Sequence, residues 1–137
     1  MKIYVLPFQM RNVKYEGAAS SDEFRGWVEK YGDRFYYTLR ALNKGDIIVY
    51  AWIENKEYWT LIGDGIVQDN HETGINWCDC ESKSESGYER HLIVGGVKLF
   101  PKNVKSSEFK FNSRRKRFIV LSEVEYIEIL NRTVSHW

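Results

Sequence analysis

Residues 47–67 constrain the fold most. Ile47-Ile48-Val49-Tyr50-Ala51-Trp52-Ile53 is an unbroken run of β-branched and aromatic side chains. Glu54-Asn55-Lys56-Glu57 turns it back into Tyr58-Trp59-Thr60-Leu61-Ile62-Gly63-Asp64-Gly65-Ile66-Val67. Two such runs joined by a short polar turn read as a β-hairpin. Gly63 and Gly65 inside the return strand mark a bulge or a close backbone approach. They are no phosphate loop, because GDG is not GxGxxG and no helix follows it. Ile3-Tyr4-Val5-Leu6 is a further, wholly apolar run stopped by Pro7, and it reads as a central strand. Five Trp, nine Tyr and seven Phe against two Pro strengthen the β-rich reading.

Around these strands the period changes. Residues 8–19 show no period and read as loop. Ser20 with Glu23 makes a capping box, Phe24, Trp27, Val28 and Tyr31 follow at helical spacing, and Gly32 is a natural stop. Phe35 to Leu42 predicts a second short helix, with Leu39 and Leu42 on one face. Residues 68–87 are polar and patternless, and a loop that long in a compact domain is usually functional or disordered. Tyr88 to Phe100 resumes strand character, with Gly95-Gly96 as a kink or bulge and Pro101 as its end. A short extended segment with Phe109 and Phe111 leads to the basic run 114–117, and Phe118-Ile119-Val120-Leu121 returns to the core. Ser122 with Glu125 makes a second capping box. Val124, Ile127 and Leu130 then predict the inward stripe of a last helix, with Glu123 and Glu128 facing solvent. Strands outnumber the helices that flank them, so the expectation is a single α+β domain, 1–137, with a curved, mixed or antiparallel sheet.

A chain of 137 residues folds without staples. No apolar run approaches the roughly 18 residues of a membrane span, and the start is too quickly polar for a signal peptide. Cys78 and Cys80, one residue apart, are awkwardly placed for a bridge and read as reduced thiols in a cytoplasmic protein. The formal charge of +1 hides two opposed segments. Asp64 to Glu89 carries seven acidic residues and one lysine; Lys98 to Ile119 carries eight basic residues and one glutamate. A basic stripe interleaved with Phe100, Phe109, Phe111 and Phe118 has the composition of a nucleic-acid face, and equally that of a solvated hairpin with its rings in the core.

His71, Cys78, Cys80 and His91 are of metal-ligand type, but Cys-x-Cys is not the usual zinc spacing and a second pair is missing, so no metal is assigned. Asp79 and Glu81 would raise the thiol pKa values, the wrong direction for a nucleophile. Trp27, Trp52 and Trp59 lie on patterned elements and read as core. Trp77, at Gly74-Ile75-Asn76-Trp77, lies in the polar stretch, where no periodicity accounts for it, and it reads as a binding residue.

The layout resembles the PUA-like superfamily, and within it the YTH domain and its prokaryotic relative, the EVE domain. Lys2-Ile3-Tyr4-Val5-Leu6 is similar to the first strand. Leu42-Asn43-Lys44-Gly45-Asp46-Ile47-Ile48-Val49-Tyr50 resembles the EVE pattern of a Lys-Gly-Asp turn before an apolar strand. Ile62 to Val67, Ile93 to Pro101, and Asn112-Ser113-Arg114 with Phe118 to Ser122 resemble later segments in order. The resemblance implies a six-stranded curved sheet or partial barrel, and a non-catalytic module that extrudes a modified base, N6-methyladenine, into an aromatic cage. It implies Trp27, Trp77 and Tyr88 as cage walls, Gln9 or Asn12 on the base edge, and Lys110, Arg114, Arg115, Lys116 and Arg117 on the nucleic-acid backbone. No cofactor is implied. Such modules also occur at the N-terminus of McrB-type restriction motors, which implies a fused or associated motor or nuclease as partner and no membrane. The same superfamily includes ASCH-like amidohydrolases of modified nucleosides, for which Lys44, Thr60 and Glu89 are the residue types on offer.

Overall fold

In the computed structural model the described residues are 1–9, 18–37, 39–55, 58–76, 88–106 and 118–134, of which 73–76, 88 and 89 are described as backbone. The apolar runs form the expected strands: β1 (Ile3–Phe8), β3 (Ile47–Ile53) and β4 (Trp59–Asn76). α1 (Ser21–Tyr31), β2 (Arg34–Tyr37), β5 (Tyr88–Lys105), β6 (Ile119–Leu121) and α2 (Glu123–Thr133) complete the chain. The six strands make one mixed sheet in the order β2-β5-β4-β3-β1-β6, in which β1 and β3 run parallel and the other pairs antiparallel.

β1 and β3 are apolar throughout because the sheet is covered on both faces. Tyr4, Leu6, Phe8, Ile48, Tyr50 and Trp52 pack with Phe24, Trp27 and Val28 of α1. The alternate set, Ile3, Val5, Val49 and Ala51, packs with Ile129 of α2 and with Trp59, Leu61, Phe100 and Val104. Asp46 ties the starting ends together. Its carboxylate accepts from Lys2 N at 3.0 Å and Asn43 N at 2.9 Å, while the Val67 amide donates to its carbonyl at 2.8 Å. The sheet is strongly curled. β2 and β1 are four strands apart in the order, yet Tyr37 Oη donates to Pro7 O at 2.7 Å and Phe8 lies 5.5 Å from Phe35. This closes a partial barrel around α1's apolar face.

Five expectations are corrected. Pro7 does not stop β1, which runs on to Phe8; β6 pairs only with Ile3 to Val5, so Pro7's missing N–H falls where that side of β1 has no strand partner. Residues 34–37 are strand β2, not the start of a helix, because Phe35, Tyr36 and Tyr37 pair with β5 and Phe35 enters the core. β4 continues to Asn76, eating into the expected loop. Pro101 does not end β5: the register jumps from Gly63↔Leu99 to Leu61↔Val104, and the proline sits in that bulge, where no ladder N–H is needed. In α2 the inward residues are Ile129 and Thr133 with Tyr126 and Leu130, while Val124 and Ile127 are 67% and 54% exposed.

Both expected glycine features are present. A Cβ on Gly63 would fall 2.4 Å from Lys98 O, so only glycine allows β4 and β5 to approach there. Gly96, at φ 62°, lies in a bulge opposite Asp64–Ile66.

Candidate nucleic-acid interface

α1 begins where its sequence predicts, with Ser20 Oγ accepting from Glu23 N at 3.2 Å. Its inward face then presents Trp27 to a cluster of rings. The indole stacks on Phe24 at 5.6 Å and 17°, meets Phe8 at 5.6 Å, and contacts Tyr31 and Phe35 at 5.9 Å each. Trp27 is 3% exposed, so it is no open wall: its faces are taken by protein. What it leaves over is polar. Its Nε1 is the one buried side-chain nitrogen or oxygen among the described residues without a hydrogen-bond partner. Such a donor costs about 1–3 kcal/mol when left unmade.

The neighbouring hydroxyls are satisfied. Tyr50 Oη donates to Gly32 O, and burial, aided by Asp33 and Asp64, pushes its pKa well up, so it stays protonated. Tyr37 spends its proton on Pro7 O. Gln9, half-buried, follows Phe8 directly and so leaves β1 beside this cluster. Tyr88 begins β5, two residues beyond Arg90, the partner of Tyr37, and its backbone therefore lies about 7 Å further along the same end of the sheet. Of the expected site residues the structure thus describes Trp27 in the ring cluster, Gln9 at the end of β1 and the Tyr88 backbone at the start of β5. Trp77, Asn12, Lys110, Arg114, Arg115, Lys116 and Arg117 lie outside the described residues.

Sequence reasoning missed the polar frame where β4 and the start of β5 meet the 39–42 segment. Asn70 Nδ2 donates to the carbonyls of Leu39 and Leu42 at 3.0 Å each, and Arg90 holds Asn70 through Nε at 2.8 Å and through the backbone at 3.0 Å. The only available signal was the run Phe35-Tyr36-Tyr37, whose β propensity competes with its helical spacing to Leu39 and Leu42. On the opposite face, Tyr36, His91 and His71 form a row across β2, β5 and β4. Partial burial, with His71 and Arg34 nearby, lowers the His91 pKa; the hydrogen bond from His71 lowers that of Asp69. Among the described residues no three metal-ligating side chains converge. No helix among them is long and apolar enough to cross a membrane.

The hydrolase arrangement does not assemble. Lys44 adjoins the contact of Gly45 N with Val67 O, whereas Thr60 pairs with Trp52 and gives its proton to Glu54 at 2.8 Å. Along β4 the two positions are roughly 23 Å apart at strand rise.

In sequence the chain matches no protein-family model and no curated protein. In structure it is similar over its whole length to the human THYN1 protein, solved in complex with 5-methylcytosine-containing DNA, at a TM-score of 0.67 and 12% identity, covering 100% of both chains. A hypothetical protein from Leishmania major is similar at a TM-score of 0.60 and 15% identity, over 97% of this chain and 94% of that one. At these identities the likeness is one of fold, and with the curled six-stranded sheet and its two helices it gives this chain the PUA-like α+β architecture.

Proposed function

We propose that this chain is a non-catalytic module that binds DNA carrying a methylated base. The observation that carries the reading is the unpaired Trp27 indole N–H, buried in a ring cluster at the end of β1 beside Gln9. An aromatic site with one unspent donor suits a flat heterocycle that offers an acceptor and stacks. The whole-chain likeness to a protein solved with methylated DNA supports it.

In this reading Trp77 and Tyr88 stack on an extruded base, Trp27 supplies an N–H at the floor, and Gln9 or Asn12 meets the base edge. Lys110 and Arg114 to Arg117 neutralise phosphates. Extrusion costs a few kcal/mol. Stacking returns about 1–3 kcal/mol per base, and a buried methyl adds about 0.8 kcal/mol. The methyl is thus enough to bias the balance, not to drive it. The base is N6-methyladenine by the YTH resemblance, and 5-methylcytosine is the base in the THYN1 complex. A role in directing a fused or associated restriction motor follows from the same resemblance.

The test is fluorescence anisotropy with three otherwise identical oligonucleotides: unmodified, N6-methyladenine and 5-methylcytosine. The reading expects tighter binding to a methylated strand, and the preferred strand names the base. Trp77→Ala should weaken that binding by ~1–3 kcal/mol and the unmodified strand less, because phosphate contacts dominate there. Equal losses on all strands, or an unfolded Trp77→Ala, would place Trp77 in the packing and sink the cage.

A further inference from the structure

His71 and His91 play no part in the proposed reader. Twenty residues apart in sequence, they are set directly opposite each other by the β4–β5 register. Opposed residues of an antiparallel pair have Cβ atoms about 4.5–5.5 Å apart. Here the imidazole centroids are 5.1 Å apart with the rings at 86°.

Each ring also has a second contact that orients it. His71 Nδ1 lies 2.9 Å from Asp69 Oδ2. An ionised carboxylate only accepts, so the proton sits on Nδ1 and the Nε2 lone pair is left available. Tyr36 stacks on His91 at 5.2 Å and 29°. Oriented imidazoles, one of them backed by a carboxylate, are the usual surroundings of a metal-binding histidine. The His71 side chain is half exposed, so an ion has access from solvent.

We propose that His71 and His91 form a two-imidazole site for a borderline divalent transition metal such as Zn²⁺ or Ni²⁺, with Asp69 as the outer-shell partner of His71 and Tyr36 as the packing support of His91. Calcium and magnesium are excluded by their demand for oxygen ligands. With two protein ligands, water fills the remaining positions, so the ion exchanges and does not serve as a structural staple for the whole fold. It clips β4 to β5 just before the register shift between Glu72 and Asn76, on the strands that lead to Trp77 and Tyr88.

Titration of the chelator-stripped full chain with NiCl₂ and ZnCl₂ by calorimetry tests this, in the wild type and in a Cys78→Ser/Cys80→Ser background that removes the thiols. The expected result is one equivalent bound in both backgrounds, with His71→Gln and His91→Gln each weakening binding at least tenfold. Asp69→Asn should weaken it about 10–100-fold, the usual effect of losing an outer-shell carboxylate. Copper(II) bound to the unaltered chain should show two-nitrogen hyperfine coupling in its paramagnetic resonance spectrum, a readout that needs no variant to fold. Binding that survives both histidine substitutions, or vanishes with the cysteines, overturns the site. So does a copper spectrum without nitrogen coupling.

Discussion

The tryptophan at position 27 is both a core residue and an unfinished one. Its ring contributes to the packing that holds α1 on the sheet, while its N–H finds no acceptor. The two roles separate by substitution. Trp27→Ala should cost ~3–5 kcal/mol of stability as a core truncation. Trp27→Phe keeps an aromatic ring and removes the unmet donor, so relief of about 1–3 kcal/mol offsets the smaller ring's cavity. Chemical denaturation should therefore find Trp27→Phe much nearer wild type than Trp27→Ala. Its affinity for methylated DNA should still fall, by about 0.5–1.5 kcal/mol for one hydrogen bond. Unchanged affinity would remove the indole N–H from the site. That Trp27 is core was legible from its spacing with Phe24, Val28 and Tyr31. That its nitrogen is orphaned was not, since this depends on which acceptors the curled sheet brings within reach.

Among the elements, α2 shows how one sequence supports two answers. Val124 and Ile127 with Leu130 form one apolar stripe; Tyr126, Ile129, Leu130 and Thr133 form another, and the second is the one that docks. Tyr126 decides it with a polar contact that periodicity ignores: its hydroxyl donates to the buried Asp64 of β4. Burial first, then Asp64, pushes the Tyr126 pKa well above 10. Above about pH 10 the unfolded chain loses the phenol proton while the folded chain retains it, so stability falls as pH rises. Tyr126→Phe should cost about 1.5–3 kcal/mol at neutral pH, as loss of a hydrogen bond to a charged group, and should make that alkaline decline shallower. Melting temperatures from pH 7 to 11 check both; an unaltered alkaline slope would show that Tyr126 carries none of it. The β1, β3 and β4 strands were readable because runs such as Ile47–Ile53 admit one interpretation. The facing of His71 and His91 was not, because it follows from bulges at Gln68 and beyond Glu72 that shift the register.

For the whole molecule, the near-neutral charge conceals an acidic segment followed by a basic one. If Arg114, Arg115, Lys116 and Arg117 meet phosphates, log affinity should fall with log salt. Each contact removed by alanine should flatten the slope by roughly one or less. Replacing all four with no change in affinity or slope would return the segment to the status of a solvated hairpin. Fold class was legible at this scale because strands outnumber helices, while the curl that lets Tyr37 reach Pro7 depends on the bulges of β5.

The position of β1 in the sheet has a consequence in time. Its first residues pair on one side with Ile47 to Val49 and on the other with Ile119 to Leu121. In chain order four strands and a helix lie between β1 and β6, so this apolar strand is made long before its last neighbour emerges. Such non-local pairing is slow, and an unpaired strand edge is a template for another chain. Until β6 has been made, the growing polypeptide carries an open, sticky edge at Ile3–Val5, and it is the stretch just before α2 that ends this exposure.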